Sequence, residues 1–305
     1  MTNSNSHSTT KAVGVLWFIL SLLIDNVNDV IMKYVGENIS SYEIIFFRFF
    51  FSVLTLIPFV LYKKEPLTKY MLKIHILRGF LLFGGIVLWC VGLGIVDITI
   101  ATAINFMMPI FIIILARIFL NETLGIIKGI ATIGGFIGTI VVMNPANIDF
   151  NILSIILIIS ALMFATLDVM NKKFVVKESM INMLFYSNFF VMILSIAPAI
   201  YFWTPPKILD ISLLFILGIA GNLILYCLLK AFTVVAVSAV APYRYVELAF
   251  SAGFGYFIFN EIPKDSTILG AIIIVISTLV LSYEVLFNKL IKTTNAPIKE
   301  TKEET

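Results

Sequence analysis

The sequence contains ten long runs of predominantly apolar residues, separated by short polar or proline-containing links. An apolar helix of about 20 residues is long enough to cross the hydrocarbon core of a lipid bilayer. Strands of a membrane β-barrel are only about 10 residues long and alternate in polarity, unlike these continuous runs. The chain is therefore predicted to be an all-α membrane protein with ten transmembrane helices. The predicted helices cover residues 12–34, 42–62, 74–96, 99–120, 124–143, 152–172, 181–203, 208–232, 235–259 and 267–287.

The composition supports a membrane protein and excludes a water-soluble globule. Hydrophobic residues make up 60% of the 305 residues, and charged residues make up only 13%. Soluble domains carry about 25% charged residues, and a soluble fold of this size could not bury so much apolar surface. The links between the apolar runs are too short to fold as separate domains.

The basic residues are distributed unequally between the two sides of the predicted membrane domain. If the N-terminus lies inside, most of the 21 Lys and Arg residues fall on the inner side, and only Lys33, Lys207 and Lys264 fall on the outer side. Cytoplasmic segments of membrane proteins carry such an excess of Lys and Arg. Both tails, residues 1–11 and 288–305, are therefore expected to be cytoplasmic.

The two halves of the chain are related by an internal repeat, in which equivalent residues are separated by one constant offset. The matched pairs include Ser21 and Ser160, Asp29 and Asp168, Lys33 and Lys172, Gly79 and Gly218, and Asn121-Glu122 and Asn260-Glu261. Each half contains five predicted helices, and because five is odd, the second half enters the membrane from the opposite side. Inverted repeats of this kind are typical of secondary transporters.

The ninth predicted helix carries two charges and two tyrosines near its centre. Arg244 and Glu247 are three residues apart, so in a helix they share a face and can pair, and Tyr243 and Tyr245 flank the arginine. A charge at the bilayer centre costs about 2.5–3.5 kcal/mol on insertion scales, so each one needs a reason. At the repeat offset, Arg244 corresponds to Asn105 in the fourth helix. These residues either line a substrate site or include a structural ion pair that locks the ninth helix to a neighbour.

Two acidic residues lie one turn apart in the first predicted helix. Asp25 and Asp29 share a face, where two like charges disfavour each other unless a cation neutralises them. We interpret Asp25 as a site for a cation or a proton. Asp29 and Lys33, like their repeat counterparts Asp168 and Lys172, are interpreted as a salt bridge at a helix end.

Three further charged residues lie within or next to the apolar runs. Arg48 in the second helix is expected either to bind a substrate carboxylate or to pair with Asp25 or Glu247. Glu122 and Glu261 precede helix N-termini, where the helix dipole favours a carboxylate, and they are interpreted as structural.

The sequence contains no arrangement of residues typical of an enzyme or a cofactor site. It lacks the GxxxxGK(S/T) and HExxH motifs and any credible Ser–His–Asp set. The two histidines are His7 and His75, and Cys90 and Cys227 both lie within apolar runs, without the spacing of metal ligands. We therefore expect no catalytic residues, no cofactor, no metal ion and no nucleic-acid partner.

Five strings of residues carry information about the family of the chain. They are Asn28-Asp29-Val30, Phe47-Arg48-Phe49-Phe50-Phe51-Ser52, His75-Ile76-Leu77-Arg78-Gly79, Ala241-Pro242-Tyr243-Arg244-Tyr245 and Phe257-Ile258-Phe259-Asn260-Glu261. In these strings the chain resembles the drug/metabolite transporter superfamily, and within it the ten-helix EamA-type carriers. The resemblance implies two EamA-like repeats of five helices, residues 12–143 and 152–287, in a bacterial inner membrane.

The resemblance also implies a function, namely secondary active uptake of S-adenosylmethionine, with exchange for S-adenosylhomocysteine as one mode. Carboxylates and aromatic faces suit a sulfonium cation, and an arginine suits the carboxylate of the substrate. The residues expected to bind this small molecule are Glu247, Arg244, Tyr243, Tyr245, Asp25, Asn105 and Arg48. Two alternatives stay open: an exporter of amino acids, drugs or other small metabolites, and a membrane scaffold or enzyme that transports nothing.

Overall fold

The computed structural model describes residues 2–93, 98–123, 125–143, 154–259 and 265–287 of the chain. Every regular element within these ranges is helical, and no strand occurs in them, which confirms the all-α prediction. The elements are α1 (Thr2–Val35), α2 (Ser41–Lys63), α3 (Lys69–Leu93), α4 (Ile98–Asn105), α5 (Met108–Leu120), α6 (Ile126–Met143), α7 (Ile155–Phe174), α8 (Met180–Tyr201), α9 (Ile208–Val234), α10 (Val237–Val240), a 3-10 segment (Ala241–Tyr245), α11 (Val246–Phe259) and α12 (Asp265–Phe287).

Many of the described helices are suited to a lipid bilayer. Seven stretches of them are long and apolar enough to cross a membrane, and one of these, Ala103–Leu120, runs from α4 into α5; two shorter apolar stretches cover Ile126–Val142 and Ile268–Val280. Large apolar side chains cover the outer surfaces of these helices, as at Phe80 and Ile133, which are 57% and 60% exposed. Water-soluble monomers do not expose apolar surface on this scale. The chain is a multi-pass membrane protein.

The fourth and ninth predicted helices are both divided, so the prediction of one continuous helix in each place is wrong. α4 ends at Asn105 and α5 begins at Met108, while the 3-10 segment separates α10 from α11. Pro109 and Pro242 lie in the first turn of α5 and of the 3-10 segment. Proline donates no N–H and clashes with the preceding turn of a helix, so the chain starts a new helical segment at each proline.

The two halves of the chain, α1–α6 and α7–α12, correspond helix by helix, α1 to α7 and so on to α6 and α12. When each helix is replaced by its counterpart, the pairs of packed helices stay the same. α1 packs against α9 and α7 packs against α3, while the pairs α2–α8 and α6–α12 map onto themselves. A Cβ atom at Gly218 would lie 2.7 Å from Cβ of Phe51, and one at Gly79 would lie 2.5 Å from Cβ of Phe190. Both contacts require glycine because a side chain would separate the helices. Each member of one contact corresponds to a member of the other at the offset of the internal repeat.

Helices α2 and α8, which pack against each other, begin at equivalent serines. Oγ of Ser40 accepts a hydrogen bond from the N–H of Glu43 at 3.3 Å, and Oγ of Ser179 accepts one from the N–H of Asn182 at 3.1 Å. Each N-cap satisfies a backbone donor that has no partner inside the helix. The two serines are again separated by the offset of the repeat, so the repeat extends to the signals that start these helices.

Lys172 does not form the helix-end salt bridge that the sequence suggested. Its Nζ donates to the carbonyl oxygens of Phe232 at 2.6 Å and Val235 at 2.8 Å, and so satisfies acceptors at the end of α9. The prediction of a pair with Asp168 is therefore wrong, because a neighbouring helix end offers two backbone acceptors. The side chain of Lys33 is not among those that the structure describes, so its pairing with Asp29 stays a prediction.

Glu122 caps a helix, although not the helix that follows it in the sequence. Its carboxylate accepts hydrogen bonds from the N–H groups of Val237 at 3.1 Å and Ser238 at 3.0 Å, at the start of α10. A carboxylate at this position is favoured by the helix dipole. Its repeat counterpart, Glu261, lies outside the described residues, and its structural role stays a prediction.

Candidate functional site

A cavity of about 540 Å³ lies among α1, α2, α3, α7, α8 and α9 and the two divided regions. Pockets that enclose drug-sized ligands measure about 300–1,000 Å³, so this cavity can hold a small metabolite. Five of the seven residues predicted to bind a substrate line it, from five different segments of the chain. They are Asp25, Arg48, Asn105, Arg244 and Glu247.

The two divided regions bring equivalent polar residues to the cavity. Asn105 is the last residue of α4, and Arg244 lies in the 3-10 segment, so each is adjacent to a break in the helical hydrogen bonding. Divided helices are a recurring feature of secondary transporters, in which the break exposes polar groups to the substrate. The prolines that divide the two helices therefore also place Asn105 and Arg244 at the cavity.

Arg244 forms a salt bridge between helices. Its Nη2 donates to Oδ2 of Asp168 in α7, and its guanidinium carbon lies 5.7 Å from the centre of the Phe18 ring. The side chains of Arg244 and Asp168 are only 17% and 6% exposed, so each charge needs the other to offset its lost hydration. The sequence suggested Glu247 as the partner of Arg244, and the structure has Asp168 in this role instead.

The charged side chains around the cavity include one more acid than base. The acids are Asp25, Asp29, Asp168 and Glu247, and the bases are Arg48, Arg78 and Arg244. Among the described residues, Asp25 and Glu247 have no salt-bridge partner within 4.0 Å, unlike Asp168. A carboxylate in an apolar surrounding is stabilised by a cation, so the lining suits a ligand that carries positive charge.

Arg48 has only weak hydrogen-bonding and ring contacts among the described residues, and no salt bridge within 4.0 Å. Its Nη1 lies 3.5 Å from Sδ of Met32, a poor acceptor, and its guanidinium carbon lies 5.8 Å from the centre of the Phe49 ring. Opposite it, a Cβ at Gly221 would lie 3.3 Å from Nε of Arg48, so glycine leaves room for the guanidinium. Most donors of this planar group are thus available to a carboxylate in the cavity.

The structure does not bring Tyr243 and Tyr245 to the cavity surface. The two side chains are 2% and 1% exposed and pack within apolar clusters. The Tyr245 ring stacks on Phe106, with centroids 6.0 Å apart, and contacts Gly135 of α6. The tyrosines therefore support the wall formed by the 3-10 segment, while Arg244 between them faces the cavity.

A hydrogen-bonded network centred on Arg78 contributes to the cavity wall, between α3, α7 and α8. The side chain is 1% exposed; its Nε and Nη2 donate to Oδ1 of Asn171 at 3.0 and 2.7 Å, and its Nη1 donates to the carbonyl oxygen of Met183 at 3.2 Å. Nη1 also lies 3.1 Å from Nδ1 of His75, whose Nε2 lies 3.8 Å from Oε2 of Glu178. The sequence did not indicate a role for Arg78 at the site because Asn171 and Met183, which accept its hydrogen bonds, lie on other helices. The local signal was the spacing of His75 and Arg78, which places them on one helix face.

At the opposite end of the molecule, the equivalent positions hold apolar side chains. Leu214 and Leu217 are the repeat counterparts of His75 and Arg78, and they belong to a cluster that joins α1, α2 and α9. The buried members of this cluster are Val35, Ile39, Ile44, Leu214 and Leu217, each at most 5% exposed. The two ends are thus held by different kinds of contact at corresponding positions.

A multi-pass helical protein with a charge-lined cavity at two divided helices has the general form of a membrane transporter. The comparisons agree with this class. The chain belongs to the EamA-like transporter family, within the drug/metabolite transporter superfamily, and the family model matches residues 12–144 and residues 151–283. The starts of the two matches are separated by the same offset as Ser21 and Ser160, the offset found within the sequence.

Similar proteins are named as transporters, and the chain is a transporter and not an enzyme. It is 48% identical over 280 residues to an S-adenosylmethionine uptake transporter of Rickettsia bellii. The aligned region covers 92% of this chain and 96% of that protein. It is 47% identical to a protein of the same name from Rickettsia prowazekii, over 92% of this chain and 95% of that protein. A solved crystal structure superposes with a TM-score of 0.77 over 90% of this chain and 99% of that chain; at 15% identity it supports the fold alone.

Proposed function

We propose that this transporter takes up S-adenosylmethionine across a bacterial inner membrane by alternating access. The observation that carries the proposal is the cavity, whose volume fits a small metabolite and whose lining has an excess of acidic side chains together with an available arginine. S-adenosylmethionine carries a sulfonium, an ammonium and a carboxylate, for a net charge of about +1 at neutral pH. The names of the Rickettsia relatives support the same substrate.

The proposal includes an architecture of ten transmembrane helices in two inverted repeats, residues 12–143 and 152–287, with both tails in the cytoplasm. The exchange symmetry of the packed helix pairs supports the repeat, and the distribution of Lys and Arg supports the orientation. In this orientation, the cavity extends outward to the exposed Gly36 and Ser41 and ends inward at the buried Arg78.

Each charged group of the substrate has a partner in this cavity. Arg48 is proposed to hold the substrate carboxylate in a bidentate pair, and Asp25 and Glu247 are proposed to attract the sulfonium and the ammonium. Asn105 adds a neutral donor and acceptor at the break after α4. Arg244 faces the same space but is held by Asp168, so its proposed part is to fix the 3-10 segment.

The charge of the substrate makes uptake favourable without ATP. A net charge of +1 that moves inward gains about 2.3 kcal/mol for each 100 mV of inside-negative potential. Exchange for neutral S-adenosylhomocysteine would move the same net charge, so the membrane potential drives this mode equally. Both modes therefore predict faster uptake into inside-negative vesicles.

Flux into proteoliposomes that contain the purified protein tests the proposal. We expect saturable uptake of labelled S-adenosylmethionine, faster with an inside-negative potential, and competed by S-adenosylhomocysteine but not by common amino acids. Internal S-adenosylhomocysteine distinguishes exchange from uniport by accelerating uptake. Uptake no faster than in protein-free vesicles would refute the substrate, and efflux of preloaded amino acids would favour an exporter.

A further inference from the structure

The side chain of Arg48 approaches a glycine of α9. A Cβ atom at Gly221 would lie 3.3 Å from Nε of Arg48 and 3.7 Å from its Nη2. Nη1, in contrast, lies 3.5 Å from Sδ of Met32 in α1. The guanidinium therefore approaches α1 through Nη1 and α9 through Nε and Nη2.

The two nitrogens next to the glycine form one of the edges that an arginine offers to a carboxylate. The N–H bonds of Nε and Nη2 are parallel in the planar group, so this edge can donate to both oxygens of a carboxylate. Arg78 uses the same edge within this protein, since its Nε and Nη2 both donate to Oδ1 of Asn171. In Arg48, the one hydrogen bond to another described residue is from Nη1. A methyl group at residue 221 would crowd the two donors that remain available.

Helices α2 and α9 are held together at this point, so they do not separate easily to make room for a side chain. Oγ of Ser52, one turn after Arg48, donates to the carbonyl oxygen of Gly218 at 2.8 Å. Nδ2 of Asn222 donates to the carbonyl oxygen of Ser52 at 2.9 Å. Both bonds are buried, and breaking either one would leave a polar group without its partner. A side chain added at Gly221 must therefore displace the guanidinium instead of the helix.

The internal repeat relates the small size of residue 221 to the large side chain at residue 48. The helix pairs α2–α9 and α8–α3 are equivalent. At the offset of the repeat, Arg48 corresponds to Ser187, and Gly221 corresponds to Leu82. The first pair thus combines a large side chain with glycine, and the second combines serine with a large side chain. A leucine at residue 221 would occupy the space of the guanidinium, which explains why the large and small residues are exchanged.

We propose that Gly221 is a positioning residue for substrate specificity, because it keeps the Nε–Nη2 edge of Arg48 open to the carboxylate of the substrate. This inference rests on the proposed function, in which Arg48 binds that carboxylate. A compound that lacks a carboxylate does not use this edge, so its binding should not depend on residue 221.

The test compares two competitors of labelled S-adenosylmethionine uptake in proteoliposomes, in wild type and in Gly221→Ala. One competitor is unlabelled S-adenosylmethionine, and the other is decarboxylated S-adenosylmethionine, which keeps the sulfonium, the ammonium and the nucleoside. Loss of one hydrogen bond between charged groups corresponds to at least about a tenfold change in affinity. We expect the inhibition constant of S-adenosylmethionine to rise by about this factor and that of the decarboxylated compound to stay unchanged.

Gly129→Ala is the matched control, because no atom lies within 4 Å of its added Cβ, and both inhibition constants should remain at wild-type values. In an Arg48→Lys background, Gly221→Ala should change neither constant further, since lysine lacks the edge. Gly221→Ala should unfold at the wild-type temperature or above it, because alanine favours a helix more than glycine does. If its uptake is too slow to measure, stabilisation by each compound against thermal unfolding gives the same comparison.

Unchanged inhibition by S-adenosylmethionine in Gly221→Ala, or an equal weakening of both competitors, would overturn the positioning role while wild-type uptake upholds the function. A further tenfold loss in the Arg48→Lys background would overturn it as well. A wild-type protein that takes up no S-adenosylmethionine would overturn both the role and the function.

Discussion

The salt bridge between Arg244 and Asp168 gives a prediction whose magnitude follows from its burial. Asp168→Asn keeps the size of the side chain but leaves the guanidinium of Arg244 without its partner. Removing one member of a buried pair costs about 3–5 kcal/mol, whereas an exposed pair contributes about 1 kcal/mol or less. The Asp168 side chain is 6% exposed and that of Arg244 17%, so we expect the lower end of the buried range, about 3 kcal/mol.

Thermal unfolding of the detergent-purified protein measures this loss. At about 2–4 °C per kcal/mol for a larger domain, the midpoint should fall by about 6–12 °C. Asp29→Asn is the matched control, since it makes the same change at the exposed repeat counterpart and should shift the midpoint by about 4 °C or less. The double variant Asp168→Asn with Arg244→Gln should be more stable than Asp168→Asn alone, because the guanidinium that lost its partner is removed as well. Equal midpoints for the two Asp→Asn variants would refute the reasoning.

Three further predictions concern the cavity and the helix packing. Glu247→Gln and Asp25→Asn should each raise the KM for S-adenosylmethionine at least about tenfold; wild-type uptake at normal expression would remove either residue from the site. Arg48→Lys should weaken inhibition of uptake by unlabelled S-adenosylmethionine but not by decarboxylated S-adenosylmethionine, because lysine cannot form the bidentate pair with the carboxylate. Equal weakening of inhibition by both compounds would contradict a contact with the carboxylate. Gly218→Ala should lower the unfolding temperature, since a Cβ there would lie 2.7 Å from Phe51, whereas Gly129→Ala, with no atom within 4 Å, should keep or raise it.

Features that depend on local sequence were predictable from the sequence, namely the all-α class and most helix positions. Long apolar runs have one stable form in lipid, because every backbone group must bond within its own segment. The family followed from strings of residues such as the one around Arg244. The divisions at Pro109 and Pro242 were missed because a proline in a transmembrane run can either kink a helix or start a new segment.

Partners that lie far apart in the chain could not be predicted in the same way. Arg244 and Glu247 share a helix, so their spacing suggested a pair, but Asp168 reaches Arg244 from α7. The directions of Tyr243 and Tyr245 depend on the 3-10 segment, whose three residues per turn change which side chains share a face.

The contacts that hold the two ends of the molecule should respond differently to temperature. When the end held by Arg78 separates, water can replace the lost hydrogen bonds, but when the end held by Leu214 and Leu217 separates, apolar surface becomes wet. The free energy of wetting apolar surface falls on cooling. Cooling should therefore loosen the leucine end more than the arginine end, so that, under the proposed alternating access, temperature alone biases which side of the membrane the protein faces.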